Sequence, residues 1–258
     1  MSTDDTKDAW ESHVDGAVAL TISRGADQFK TKMSRAVFRA VRTMMITSCV
    51  RREKPVEPFP GTEGWIMHHD EDNVANRLTV MCMDLPSIRS RANDLTNSPH
   101  DPDKEPEAIK IIEFAQMVDA NLQQWYQTLP QDWHYRTVGM VYDMPEDVTS
   151  AGQWPGPQHA YYDVGIASVV NDYRVCRIFC QRVVMACVNW LGLGVDYPVT
   201  HAYNTAMFVV QQMVDEISAC VPFHMIYEMQ PMAKERGVEK SGECSFHVAP
   251  CEYEGSNS

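Results

Sequence analysis

The chain has 258 residues, with 22 Lys and Arg against 35 Asp and Glu and a net charge of −13. Phosphate backbones repel a chain this acidic, and Gly and Pro are too sparse for a collagen-like or low-complexity protein. The N-terminal MSTDDTKDAW lacks the apolar core of a signal peptide, and no uninterrupted apolar run approaches the roughly 18 residues of a membrane span, so the expectation is a soluble intracellular protein without membrane contact.

Hydrophobic spacing predicts helices in chain order. The first runs from about Lys7 to Ser23, with Trp10, Val14, Ala17 and Leu20 inward and Gly25 as terminator. The second, Ala26 to Val50, places Phe29, Met33, Val37, Ala40, Val41, Met44 and Met45 on an apolar face. Another face of it is basic, with Lys32, Arg35, Arg39 and Arg42. The Pro-rich KPVEPFPG, Lys54 to Gly61, is a loop. A third helix starts near Asp70 to Asn73, carries Val74, Leu78, Met81 and Cys82, and is ended or kinked by Pro86. After an exposed loop, Asn97 to Glu105, a fourth helix opens on Pro106 and Glu107. It carries Ile111, Phe114, Ala115, Val118, Leu122, Trp125 and Leu129, and Pro130 stops it.

Gln131 to Pro157 is irregular, with Thr137 to Met144 as the one strand candidate. The spine of the fold is Tyr161 to Trp190, where Ile166, Val169, Val170, Tyr173, Cys176, Cys180, Val183, Val184, Cys187 and Leu191 form a wide stripe. Gly192 and Gly194 break it. A last helix, Thr200 to Val221, turns Ala206, Val210, Met213, Ile217 and Cys220 inward and ends at Pro222. The fold class is therefore all-α, an irregular array of about six to eight helices with long central ones. It occupies residues 1–232; residues 233–258 are polar and expected to be disordered.

Motifs for chemistry are weak. GLG at Gly192 to Gly194 lacks the third Gly of a dinucleotide fingerprint and reads as a helix end. His68, His69, Asp70 and Asp72 read as a solvated helix start rather than a metal site. Cys244, His247 and Cys251 offer three zinc ligands where a structural site wants four. HHDEDN, with Asn171 and Asp172, imitates the magnesium-binding clusters of a terpene cyclase, but Val175 and Phe179 stand where ligands are needed. Cys49, Cys82, Cys176, Cys180, Cys187 and Cys220 fall in apolar helical stretches and read as reduced core thiols. No catalytic residue, metal or cofactor is expected. The basic face Lys32, Arg35, Arg39 and Arg42 is the candidate dock for an acidic partner, set against the plainer reading of a solvated face paired with neighbouring carboxylates.

An ordered set of short motifs adds to this. Trp10, His13, Gly16, Ala17, Leu20, Arg24 and Gly25 are followed by Phe38 and Arg42, Trp65, Asn76-Arg77-Leu78 and Asp84-Leu85-Pro86. Then come Trp125, Leu129-Pro130, Trp133, Asn171-Asp172-Tyr173-Arg174, Arg177-Ile178 and Val221-Pro222-Phe223-His224. Over about Asp8 to Met225 the chain resembles the fungal-specific transcription factor domain. In that family the domain lies C-terminal to a zinc binuclear-cluster DNA-binding module.

The resemblance implies a nuclear helical regulatory domain without catalytic residues. The resemblance further implies work through protein partners, either a full-length homologous factor or a second copy, and a response to a small-molecule effector. The six-cysteine cluster of the DNA-reading module is missing, since the chain has no Cys before Cys49, so direct nucleic-acid contact by that route is not expected. Two other readings compete. One is a helical small-molecule-binding protein or enzyme, with some of the 16 Met and six Trp lining an apolar pocket. The other is a non-functional truncation exposing Val210, Met213, Val214 and Ile217.

Overall fold

A computed structural model of the chain describes residues 3–60, 64–66, 73–142, 155–192 and 201–225, with side chains from residue 9 onward. Among the described residues are α1 (Thr3–Arg24), α2 (Lys32–Arg52), α3 (Val74–Met81), α4 (Leu85–Thr96), α5 (Glu105–Gln127), β1 (Arg136–Val141), β2 (Gly156–Ala160), α6 (Val164–Gly192) and α7 (His201–Met225). The all-α expectation holds, and the long central helices are α5, α6 and α7. The tail 233–258 and the clusters at His68 to Asp72 and Cys244 to Cys251 lie outside the described residues.

Local chemistry sets the boundaries. Gly25 takes φ 69° after α1, and its N–H donates to the Ile22 carbonyl. A 3-10 turn, Ala26–Gln28, then separates α1 from α2, so α2 begins later than its apolar spacing suggests. Thr31 and Ser34 start it with a reciprocal capping box. At Pro86 the chain does not stop a helix but begins one. The proline sits in the first turn of α4, where its missing N–H costs nothing, and a turn at residues 82–84 separates α4 from α3. Asn73 caps α3 through its side-chain oxygen, which accepts from the Ala75 and Asn76 amides.

The chain divides into two compact units, Met1–Pro130 with Asn171–Ile217 and Gln131–Val170 with Ser218–Ser258. In the first, α1 packs on α2, α2 on α3 and α4, and α5 on α3 and α4. Its core includes Val14, Val18, Val41, Met45, Leu85, Ile88, Ile111, Leu122 and Val184. Two predicted stripes are rotated. In α1 the buried line is Val14, Val18 and Thr21, and Leu20 is exposed. In α2 it is Phe38, Val41, Arg42, Met45, Ile46, Cys49 and Val50, while Met33, Val37 and Met44 face out. The buried lines contain polar members that a hydrophobicity count discards. Thr21 is tolerated there because its hydroxyl donates to the Ala17 carbonyl (2.7 Å).

A buried ion pair joins α5 and α6. Arg177 Nε lies 2.7 Å from Asp119 Oδ1, and its Nη2 lies 3.1 Å from Oδ2, a bidentate fork between two buried side chains. Burial works against the Arg177 charge, but the hydrogen bond and charge of Asp119 outweigh it and hold the guanidinium pKa above its usual value. Tyr173 stacks on Tyr126 at 4.8 Å and tilts against Trp125 at 5.7 Å. Trp125 in turn donates its indole N–H to the Val74 carbonyl (3.1 Å). One turn before Arg177, fully buried Arg174 bonds Glu216 of α7 (2.9 Å) and Asn171 (2.8 Å). By length and mean hydropathy alone, the 29 residues of α6 would cross a membrane. Its buried Arg174, Arg177 and Gln181 mark it instead as a core helix.

In the second unit β1 and β2 form an antiparallel pair with an irregularity between Thr137 and Gly139. β2 was not expected, because GPQHA lacks alternation and contains Pro157, tolerated in a two-stranded ribbon. His159 stacks on Tyr135 at 3.7 Å, and Tyr161 packs against Phe223 at 6.0 Å. Pro222 does not stop α7, which runs on to Met225. Full burial of Phe223 offsets the ~3 kcal/mol that an interior proline costs a helix.

Removing one partner of the α5–α6 pair leaves a buried charge alone. Asp119→Ala is expected to destabilise the first unit by about 3–5 kcal/mol in urea melts, and Asp119→Leu combined with Arg177→Met by much less. A loss below about 1 kcal/mol for Asp119→Ala would show that the pair holds nothing together.

Candidate functional site

α2 turns Arg42 inward on the same line as Phe38, Met45 and Cys49. The guanidinium is fully buried. Its Nη1 donates to the Trp65 carbonyl (2.9 Å), its Nη2 donates to the Asn76 side-chain oxygen, and its Cζ lies 5.7 Å from the centre of the Phe38 ring. Around it Phe29, Phe38, Phe59 and Trp65 form an aromatic cluster with centroid separations of 4.8 to 6.4 Å. Trp65 also donates its indole N–H to the Glu57 carbonyl (2.7 Å). One arginine fork therefore ties α2 to the backbone at Trp65 and to α3.

This placement corrects the basic-face expectation at one position. Arg42 cannot meet a partner, because its fork is engaged inside. The remaining members lie on the first half of α2: Lys32 is exposed, and Arg35 and Arg39 are half-exposed. Arg35 donates to the Lys30 carbonyl (2.7 Å). The apolar residues displaced from the buried line share this part of the helix, with Met33 75% and Val37 50% exposed. At the other end of α2 the cations pair with carboxylates of α1. Arg52 bonds Asp15 of α1 at 2.5 and 2.8 Å, a contact that holds the Asp15 carboxyl below its usual pKa, and Arg51 pairs with Glu11 at 3.6 Å. Exposed pairs of this kind contribute at most about 1 kcal/mol each.

Other arginines behave as Arg42 does. Arg89 of α4 donates to the Val50 carbonyl, pairs with Glu53 at 2.6 Å and places its Cζ 4.2 Å from the centre of the Phe179 ring on α6. Trp190 of α6 donates to the Ser98 carbonyl (2.9 Å) beyond α4. Residues of the ordered motif set, Phe38, Arg42, Trp65, Asn76, Trp125, Tyr173, Arg174 and Arg177, thus make the internal bonds between elements. Their acidic partners Asp119 and Glu216 were missed by sequence reading. A usable signal existed for Asp119, which falls between Val118 and Leu122 on the buried face of α5.

Asn171, read against a magnesium cluster, bonds Arg174. Among the described residues no group of three His, Cys, Asp or Glu side chains is arranged to hold a metal ion. The cysteines at 49, 82, 180, 187 and 220 are buried, Cys176 is half-buried, and none of these six is in a disulfide. Burial pushes the Cys49 and Cys180 thiols up and that of Cys187 up to about 11, so these three are protonated and unreactive at neutral pH. On α7, Met213 is buried, Val210 and Ile217 are half-buried, and Val214 is exposed, with Met207 and Phe208 also facing out.

Arg42→Met is expected to lower stability by about 3 kcal/mol, because it strands the Trp65 carbonyl and the Asn76 amide. Arg42→Lys should recover little of this, since one ammonium does not reproduce the fork. Equilibrium melts together with a red shift of Trp65 emission check it. Full recovery by lysine would contradict the geometry.

No protein-family model matches the chain, and no solved structure matches it. It is similar to the protein named Transcription factor dbaG of Emericella nidulans, with 26% identity over 183 residues. That stretch is 70% of this chain and 40% of the relative, so the match spans well under half of the relative's length. The distant relationship is to a transcription factor rather than to an enzyme.

Proposed function

We propose that the chain is a regulatory and interaction domain of a fungal transcription regulator, acting in the nucleus through protein partners and without gripping DNA itself. The distant relationship to a transcription factor over most of the chain carries this reading. The motif arginines support it in a second way. They are engaged in bonds between helices, as in a scaffold whose purpose is to hold its outer faces in fixed places.

The face offered to a partner is the first half of α2. Lys32, Arg35 and Arg39 stand there beside exposed Met33 and Val37. An acidic segment with an apolar edge fits such a surface, because its carboxylates meet the cations while its apolar side chains cover the methionine and valine. The net charge of −13 disfavours duplex DNA as the ligand.

Fused to an unrelated DNA-binding module, the chain is expected to change reporter transcription several-fold. Replacing Lys32, Arg35 and Arg39 together by Ala should remove most of that change while altering stability by less than about 1 kcal/mol. A folded nuclear fusion with no effect on the reporter would contradict the reading, and so would tight binding of the purified chain to duplex DNA at ~150 mM salt.

A further inference from the structure

We propose that Cys82 and Cys176 form a redox modification site, a dithiol that a small disulfide of the glutathione class converts into an intramolecular disulfide. The two residues are 94 positions apart, yet their sulfurs lie 3.1 Å from each other, with the Cys82 thiol donating to Cys176. Cys82 caps the C-terminus of α3. Its N–H donates to the Leu78 carbonyl (3.1 Å), and its own carbonyl accepts from Leu85 (3.2 Å) at the start of α4. Cys176 projects from α6, and both belong to the first compact unit. Cysteines that merely fill space do not need to aim sulfur at sulfur.

The two thiols differ in access. Cys82 is buried, whereas Cys176 is half-buried and reachable. The hydrogen bond to Cys176 and burial push the Cys82 thiol well above its usual pKa, so Cys82 does not attack first. Cys180, one turn further along α6, is buried, and burial holds it as a thiol. The first reaction therefore falls to Cys176. It loses its proton to solvent, and its thiolate attacks one sulfur of the small disulfide. A mixed disulfide forms on Cys176 and one small thiolate leaves, taking up a proton. Cys82, already beside the mixed disulfide, then loses its proton and attacks the Cys176 sulfur, expelling the second small thiolate. Two protein thiols are oxidised by two electrons, and the small disulfide is reduced to two thiols. Proximity favours this second step over release of the adduct.

The bond would fasten the α3–α4 corner to α6, beside the Arg177 pair, and closing so long a loop stabilises a fold. The test is independent of any role in transcription. The purified full chain is incubated with excess glutathione disulfide, with circular dichroism confirming that it stays folded, and is then mapped by non-reducing peptide mass spectrometry. The expected product is a Cys82–Cys176 linked peptide, removed by dithiothreitol, with a melting temperature several degrees above that of the reduced chain. Cys82→Ser should instead accumulate a glutathione adduct on Cys176, and Cys176→Ser should leave Cys82 unmodified. A lasting adduct on wild-type Cys176 with Cys82 still reduced would overturn the proposal. So would a folded chain that does not react at Cys176, or a link that forms only in urea.

Discussion

A guanidinium placed among packed helices must find a carboxylate or carbonyl there, because an unpaired buried charge is not tolerated. Most of the first compact unit follows from that constraint. Arg177 of α6 finds Asp119 of α5, Arg174 finds Glu216 of α7, Arg89 finds Glu53 and the Val50 carbonyl, and Arg42 finds Asn76 and the Trp65 carbonyl. Each bond joins two separate elements, and each fixes a rotation about a helix axis that hydrophobic contact alone leaves soft. Burying apolar area draws the helices together without direction. The arginine forks supply the direction.

The same constraint explains what was legible in the sequence. Helix existence in α5, α6 and α7 followed from long runs of periodic apolar residues, and the breaks at Gly25 and Pro130 came where expected. The rotation of α1 and α2 did not follow. Apolar spacing put Met33, Val37 and Met44 inside together with Val41 and Met45; Val41 and Met45 do face the core, but Phe38 and Arg42 join them there while Met33, Val37 and Met44 face out. A count of apolar residues treats arginine as a solvent marker, yet whether an arginine lies inside depends on acceptors supplied by distant segments, here residues 65 and 76. The prolines show the same dependence on context. Pro86 starts a helix because it falls in a first turn, and Pro222 is carried through because Phe223 packs beyond it. The strand GPQHA gave no local signal, since its partner β1 supplies its order.

The candidate site was partly legible. Lys32, Arg35 and Arg39 remain on one stretch of α2, and Arg42 leaves it for the interior. The ordered motifs were visible as a set, but their meaning lay in pairings the sequence does not show. Arg177 gives no hint of Asp119 until α5 and α6 are side by side. Inside, a few buried arginines in a mostly apolar core bond across elements; outside, the first half of α2 mixes cations with exposed methionine and valine.

Native-state hydrogen exchange on the wild-type chain and on Arg177→Met tests most directly whether the buried pair makes α5 and α6 one cooperative element. Amides in the middle of both helices should open together in the wild type, and the substitution should lower the opening free energy of both by the same amount. Loss of protection confined to the turns of α6 around residue 177, with α5 unchanged, would contradict it.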